Sequence, residues 1–206
     1  MQENEIPFSQ ACENNKHPIL EVIREEFANT KHVLEIGSGT GQHAVHFAKH
    51  LPHLSWQTAD QPEYHDSIKY YMNEYPSSNV IAPIAFKVPD NAIDKGIYDG
   101  FFSANTAHIM LKNEIKHLMQ SISDVLPVGG VFCQYGPFTK NGEFTSQSNL
   151  EFHQHLLESG MGGYRDITEL QTWANKLSLM RVVDMPANNH ILVWHKLTQT
   201  GVANHK

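Results

Sequence analysis

The sequence predicts an α/β chain, with a doubly wound, mainly parallel seven-stranded sheet, helices on both faces and an antiparallel strand in a C-terminal hairpin. Three observations point there. Seven short runs rich in β-branched and aromatic residues read as buried strands. Between most of them apolar residues recur at i, i+3, i+4 and i+7, the period of an amphipathic helix. Only Pro186 to Asn189 separate the last two runs, too few residues for a crossover helix, so those two strands must run antiparallel.

Taken in order, Ile19, Leu20, Ile23 and Phe27 form a helical stripe ahead of the first strand, and Pro18 suits that helix's first turn, where an N–H is not needed. The strands are expected at His32–Gly37, Leu54–Asp60, Ile81–Val88, Tyr98–Ala104, Gly130–Gly136, Met180–Met185 and His190–Leu197. The helical stripes between them are Ala44, Phe47, Ala48 and Leu51; Ile68, Tyr71, Met72 and Tyr75; Ile115, Leu118, Met119 and Ile122; and Leu170, Trp173, Ala174 and Leu177. Strand–helix alternation of this kind implies crossovers and a sheet covered on both faces. Phe138–Ser148 is the longest irregular stretch and reads as an active-site loop. The expected organisation is one domain over 1–206, with 1–30 as an N-terminal cover and helix and 138–165 as a loop and helix over the site.

The 206 residues carry 15 Lys and Arg against 22 Asp and Glu, a net charge of −7. This argues against nucleic-acid and membrane-surface partners, both of which need a cationic face. No segment approaches a membrane span, and Met1 to Ser9 is polar and acidic, without the apolar run of a secretory signal. A cytoplasmic setting is expected. The two cysteines, Cys12 and Cys133, exclude a disulfide scaffold and a four-cysteine zinc site.

The sharpest motif is Val33-Leu34-Glu35-Ile36-Gly37-Ser38-Gly39-Thr40-Gly41-Gln42. It leaves a strand and opens a helix, so its backbone can turn tightly and offer unpaired N–H groups to a ligand. Asp60 ends the second strand, 19 residues after Gly41, where doubly wound folds hold a ribose diol. A dinucleotide fingerprint wants Gly or Ala where Gln42 stands, which disfavours a nicotinamide oxidoreductase. No Gly-Lys-Ser/Thr follows, so a P-loop is excluded. Glu35 within the strand suits a cationic ligand. The remaining nucleotide-like ligand is S-adenosylmethionine, and the alternative is a glycine turn that merely joins strand to helix.

These residues are similar to those of class I S-adenosylmethionine-dependent methyltransferases. Within that superfamily the chain resembles the poorly characterised family that includes methyltransferase-like protein 26. The resemblance runs through Asn15-Lys16-His17-Pro18-Ile19-Leu20, the glycine loop through Ala48, Phe102 to Met110, Tyr135-Gly136-Pro137-Phe138, Phe144 to Asn149 and Met185-Pro186-Ala187-Asn188-Asn189. It implies a Rossmann-like methyltransferase fold, the methionine part of the cofactor along Gly37, Ser38, Gly39 and Gly41 with Glu35 nearby, and the ribose on Asp60. It also implies that Asn15, Lys16, Phe138, Asn188 and Asn189 face the substrate. Two positions depart from the pattern: Phe86-Lys87-Val88 replaces a third-strand aspartate, and Asn14 stands in place of an arginine.

Ligands of doubly wound sheets bind at the carboxyl ends of the strands, which puts Asn105, His108 and Tyr135 at the mouth. Asn105 can bond cofactor or acceptor, His108 can act as base, and Tyr135 can orient an acceptor heteroatom. The bland alternatives are a capping histidine, a packed tyrosine, and a turn role for Asn188 and Asn189. There is no Asn/Asp-Pro-Pro-Tyr string for nitrogen methylation and no Pro-Cys nucleophile, and Cys133 reads as a buried hydrophobe. Phe138, Phe144, Phe152 and Tyr164 can form an apolar lid or ordinary packing. The surplus of 14 histidines includes His43, His46 and His50 along one helix face, expected to be solvated, and no metal is expected. The expected function is methyl transfer to a small-molecule substrate; the alternative is a non-catalytic cofactor-binding protein acting through a protein partner.

Overall fold

The structure is a computed structural model and describes residues 7–198; the first six residues of the expected N-terminal cover and the last eight of the chain lie outside them. The elements run α1 Gln10–Glu26, β1 His32–Ile36, α2 Gln42–His50, β2 Ser55–Asp60, α3 His65–Glu74, β3 Val80–Ala85, β4 Gly100–Ala104, α4 Lys112–Val125, β5 Val131–Gly136, β6 Phe138–Thr139, α5 Gln147–Glu158, β7 Arg165–Asp166, α6 Ile167–Trp173, β8 Ser178–Met185 and β9 Asn189–His195. Among the described residues, seven strands form one sheet in the order β3-β2-β1-β4-β5-β9-β8. Strands β1 to β5 pair in parallel, and β9 lies antiparallel between β5 and β8. The expected fold class is therefore observed, with the short Pro186–Asn188 turn enforcing the final reversal.

Alternation along the strands splits the core in two. Leu34, Ile36, Phe101, Phe132, Leu192 and Trp194 point to the face covered by α4 and α6. Val33, Trp56, Phe102, Cys133, Ile191 and Val193 point to the face covered by α1 and α2. Fully buried side chains of this size contribute about 1.5–3 kcal/mol each. Cys133 is one of them, as expected of a small buried hydrophobe.

Three expectations need correction. Helix α1 starts well before Pro18, which sits in its interior. Ser9 caps it by accepting a hydrogen bond from the Cys12 amide at 3.2 Å, and this start outweighs the ladder bond that proline removes. The segment after β5 is not wholly irregular: Phe138 and Thr139 form β6, which pairs in parallel with β7. Asp166 pins the turn beyond it, accepting from Thr139 Oγ1 at 2.9 Å and from the Gly142 amide at 2.7 Å. Finally, the His43–His46–His50 face is not solvated. Helix α1 lies over its start, so His43 is 5% exposed, stacked on Phe47 (centroids 5.1 Å apart), and only His50 remains exposed.

Candidate active site

The strand order reverses at β1 and β4, and the loops leaving their carboxyl ends diverge there to open a crevice. In the loop after β1 the three glycines all have positive φ but do different things. A Cβ at Gly37 would strike Thr106 Cγ2 at 2.4 Å, and one at Gly41 would lie 2.9 Å from the Ile68 backbone. A Cβ at Gly39 would meet nothing within 4 Å. So Gly37 and Gly41 close the packing, while Gly39 leaves an open approach to the main chain.

Asp60 holds this loop. Its Oδ2 accepts from the Gly39 amide and its Oδ1 from the Gln61 amide, each at 2.7 Å. Burial raises its pKa, and those two bonds oppose the rise. With Gly37, Ile36, Phe86, Val88 and Met110 it walls a small recess of about 90 Å³. Ser38 serves the turn: its hydroxyl accepts from the Ala59 amide at 3.1 Å. Glu35 lines neither this recess nor the cleft described next. It is 2% exposed, accepts from Trp56 Nε1 at 3.1 Å, and burial pushes its pKa up to about 7.

A larger cleft of about 580 Å³ lies over the carboxyl ends of β4 and β5. Asn15, Asn105, His108, Tyr135 and Asn189 all line it, so residues expected at the site from four separate chain segments do meet. Asn105 holds a left-handed backbone (φ 57°) and its amide donates to the Tyr135 carbonyl at 2.9 Å, which fixes the exit from β4 beside that from β5. His108 is 7% exposed and its Nδ1 is enclosed without a protein partner. Burial lowers its pKa to about 4, so the ring is neutral at pH 7. Tyr135 faces the side chains of Asn15 and Asn189, and burial raises its pKa, so its hydroxyl stays protonated.

Other expected site residues lie elsewhere. Phe138 is 0% exposed within the core on the α4 side. Lys16 pairs with Glu13 and lines a separate groove between α1, α2 and α3. Asn188 does not line the cleft; its carbonyl accepts from Asn149 Nδ2 at 3.3 Å, and both it and Ala187 adopt positive φ in the turn. Phe152 and Tyr164 do wall the cleft, forming with His108 a triangle whose ring centroids are 6.0, 6.2 and 6.3 Å apart. Phe144 packs at a tilt against Tyr164, with ring centroids 5.7 Å apart.

Sequence reasoning missed several participants. Asn149 lines the cleft and donates to Thr145 Oγ1 at 2.8 Å, and the capping Ser146 three residues earlier was the available signal. Thr106 leaves a buried, unpartnered Oγ1 next to Gly37. His43 Nε2 lies 2.6 Å from Asn15 Oδ1, and its Nδ1 lies 4.0 Å from Cys12 Sγ. No local pattern announces that contact, because it joins α1 to α2. Among the described residues no group of three His, Cys, Asp or Glu side chains is placed to hold a metal ion, and no helix is long and apolar enough to cross a membrane.

A seven-stranded sheet in this order, with its last pair antiparallel, is the S-adenosylmethionine-dependent methyltransferase fold. Solved structures of that class superpose on this one. Human N-acetylserotonin methyltransferase in complex with SAM matches with TM-score 0.78 at 14% identity, over 92% of this chain and 53% of that one. An O-methyltransferase family protein from Burkholderia thailandensis matches with TM-score 0.75 at 14% identity, over 92% and 58%. The mitomycin 7-O-methyltransferase matches with TM-score 0.73 at 14% identity, over 91% and 57%. The chain thus spans a little over half the length of these proteins, and the likeness is one of fold. By sequence, the chain belongs to the family described as "Protein of unknown function (DUF938)", whose model matches residues 6–196.

Proposed function

We propose that this protein is an S-adenosylmethionine-dependent methyltransferase acting on a small-molecule acceptor. The observation that carries the reading is His108, a buried, neutral imidazole on the wall of the cleft at the β4 and β5 strand ends, two residues along the chain from Thr106, which packs against Gly37 of the glycine loop. The local features fit the cofactor: open space above Gly39, an orphaned Thr106 hydroxyl beside Gly37, and a carboxylate suited to a diol at Asp60. Gly37, Gly39 and Asp60 would hold it. When bound, it supplies a sulfonium methyl group open to in-line attack. The solved structures of the same fold include one in complex with SAM and a mitomycin 7-O-methyltransferase, which supports both halves of the reading.

The protein's own contribution is orientation and one proton. Asn105, Asn15 and Asn189 present amides to an acceptor, and Tyr135 offers a hydroxyl between two of them. His108, neutral from pH 5 to 8, can take the acceptor's proton as attack proceeds. Phe152 and Tyr164 narrow the access of water.

Calorimetric titration with S-adenosylmethionine, S-adenosylhomocysteine and NAD tests the reading. Both adenosyl ligands should bind, and Asp60→Ala should weaken them by a few kcal/mol through loss of a charge-assisted contact. NAD binding without any adenosyl response would sink it. A metabolite panel assayed for S-adenosylhomocysteine release then separates enzyme from non-catalytic binder. With an acceptor in hand, His108→Ala should slow turnover roughly 10²–10⁴-fold with cofactor affinity nearly unchanged.

A further inference from the structure

The cleft beside His108 has an unusual composition. Asp, Glu, Lys and Arg make up 18% of the chain, yet none of the fifteen described residues lining the cleft is one of them. Five are asparagines: Asn14, Asn15, Asn105, Asn149 and Asn189. Of the charges nearby, all but Arg165, whose buried Nε has no partner among the described residues, are paired. Lys16 pairs with Glu13, Asp184 with Lys140 and His190, and Arg165 donates to the Gly162 carbonyl behind Tyr164. The titratable rings on the wall are His108 and the two tyrosines, all neutral at pH 7.

An ion entering such a cleft gives up hydration and meets no charged side chain among the described residues of its wall, at a cost of several kcal/mol. A neutral polar molecule loses far less and is met by amides that still have an atom to offer, such as the Oδ1 of Asn149 and of Asn189, whose Nδ2 groups are already bonded. Asn15 is already oriented for this: its Oδ1 is taken by His43 Nε2, which leaves its NH₂ group for the Tyr135 side of the cleft. The triangle of His108, Phe152 and Tyr164 supplies an aromatic corner suited to a flat ring.

We infer that the acceptor is an uncharged, flat molecule bearing hydroxyl and carbonyl groups, selected by asparagine amides and not by ion pairing. The inference rests on the methyltransferase reading of the same cleft. Three phenols that differ at the para position test it: 4-hydroxyacetophenone (neutral), 4-hydroxybenzoate (anionic) and tyramine (cationic). Each is titrated at pH 6.5, where the first is fully neutral, into the full chain loaded with S-adenosylhomocysteine and followed by ligand-observed NMR. The neutral phenol should bind at least tenfold more tightly than either ion. Equal or better binding of an ion, or no binding of the neutral phenol at millimolar concentration, overturns the inference. Asn14→Arg places a cation at an exposed position whose side chain accepts a hydrogen bond from Gln10 Nε2. It should raise the affinity for 4-hydroxybenzoate several-fold relative to that for 4-hydroxyacetophenone; an unchanged ratio of the two affinities also overturns it. Failure of S-adenosylhomocysteine to bind before any phenol is added removes the methyltransferase reading itself, whereas its binding together with a preference for ions removes this inference alone.

Discussion

Glu35 shows how one side chain in the sheet sets a pH dependence. In the unfolded chain it ionises near pH 4.5, whereas in the fold burial holds it protonated up to about pH 7. The native state therefore binds the extra proton between those values, and stability falls as pH rises through them. Glu35→Gln keeps an acceptor for Trp56 Nε1 and removes the charge. Urea unfolding should show it more stable than the parent at pH 8, by about 3 kcal/mol at most, with the gain vanishing near pH 4.5. Asn15 is the second residue to examine. Asn15→Ala strands the buried His43 Nε2, and the expected loss is about 1–3 kcal/mol. Stability within error of the parent would mean that the bond is not made in solution.

At the scale of elements, the turn into α2 separates packing from ligand access. Gly41→Ala forces a Cβ to 2.9 Å from the Ile68 backbone at φ +91°, so it should unfold at markedly lower urea concentration. Gly39→Ala meets no atom and costs only the left-handed penalty of about 1–2 kcal/mol. It should remain folded yet bind S-adenosylhomocysteine at least tenfold more weakly, since its methyl group fills the open approach to the main chain. Parental affinity in the folded variant would move the cofactor away from this loop. Helix α5 depends similarly on its cap: Ser146→Ala should cost about 1 kcal/mol, and because α5 carries Asn149 and Phe152 it should loosen the cleft wall as well.

Across the whole molecule, the buried histidines make the fold sensitive to acid. Burial lowers the pKa of His43 to about 3 and of His108 and His46 to about 4. Below pH 6.5 the unfolded chain takes up protons that the native chain refuses, so stability drops as pH falls from 6.5 toward 4. Glu35 and Asp60, whose pKa values burial raises, act in the opposite sense, but they are two carboxylates against five histidines that burial lowers, His153 and His190 being the others. Unfolding midpoints should therefore decline from pH 6.5 to 4.5, and His43→Gln should flatten that decline. A flat profile in the parent would mean that these rings are hydrated in solution.

The sequence by itself determined the layered architecture. Strand runs and helical stripes are local patterns, and the four-residue link before β9 leaves one geometric solution. The positive-φ glycines and the acidic end of β2 were legible for the same reason, since backbone conformation and element order are encoded within a few residues. Tertiary structure decided what each face meets. Periodicity marks a face but does not name its partner, so the histidine face of α2 read as solvated until α1 covered it. Phe138 looked like part of a loop until the pairing of β6 with β7, 27 residues apart, turned it into the core. Lys16 and Asn15 are neighbours in sequence, but on a helix they point different ways, one into a salt bridge and one into the cleft. The lack of charged side chains among the described residues of that cleft was decided by the same long-range packing, because it belongs to a surface assembled from distant segments.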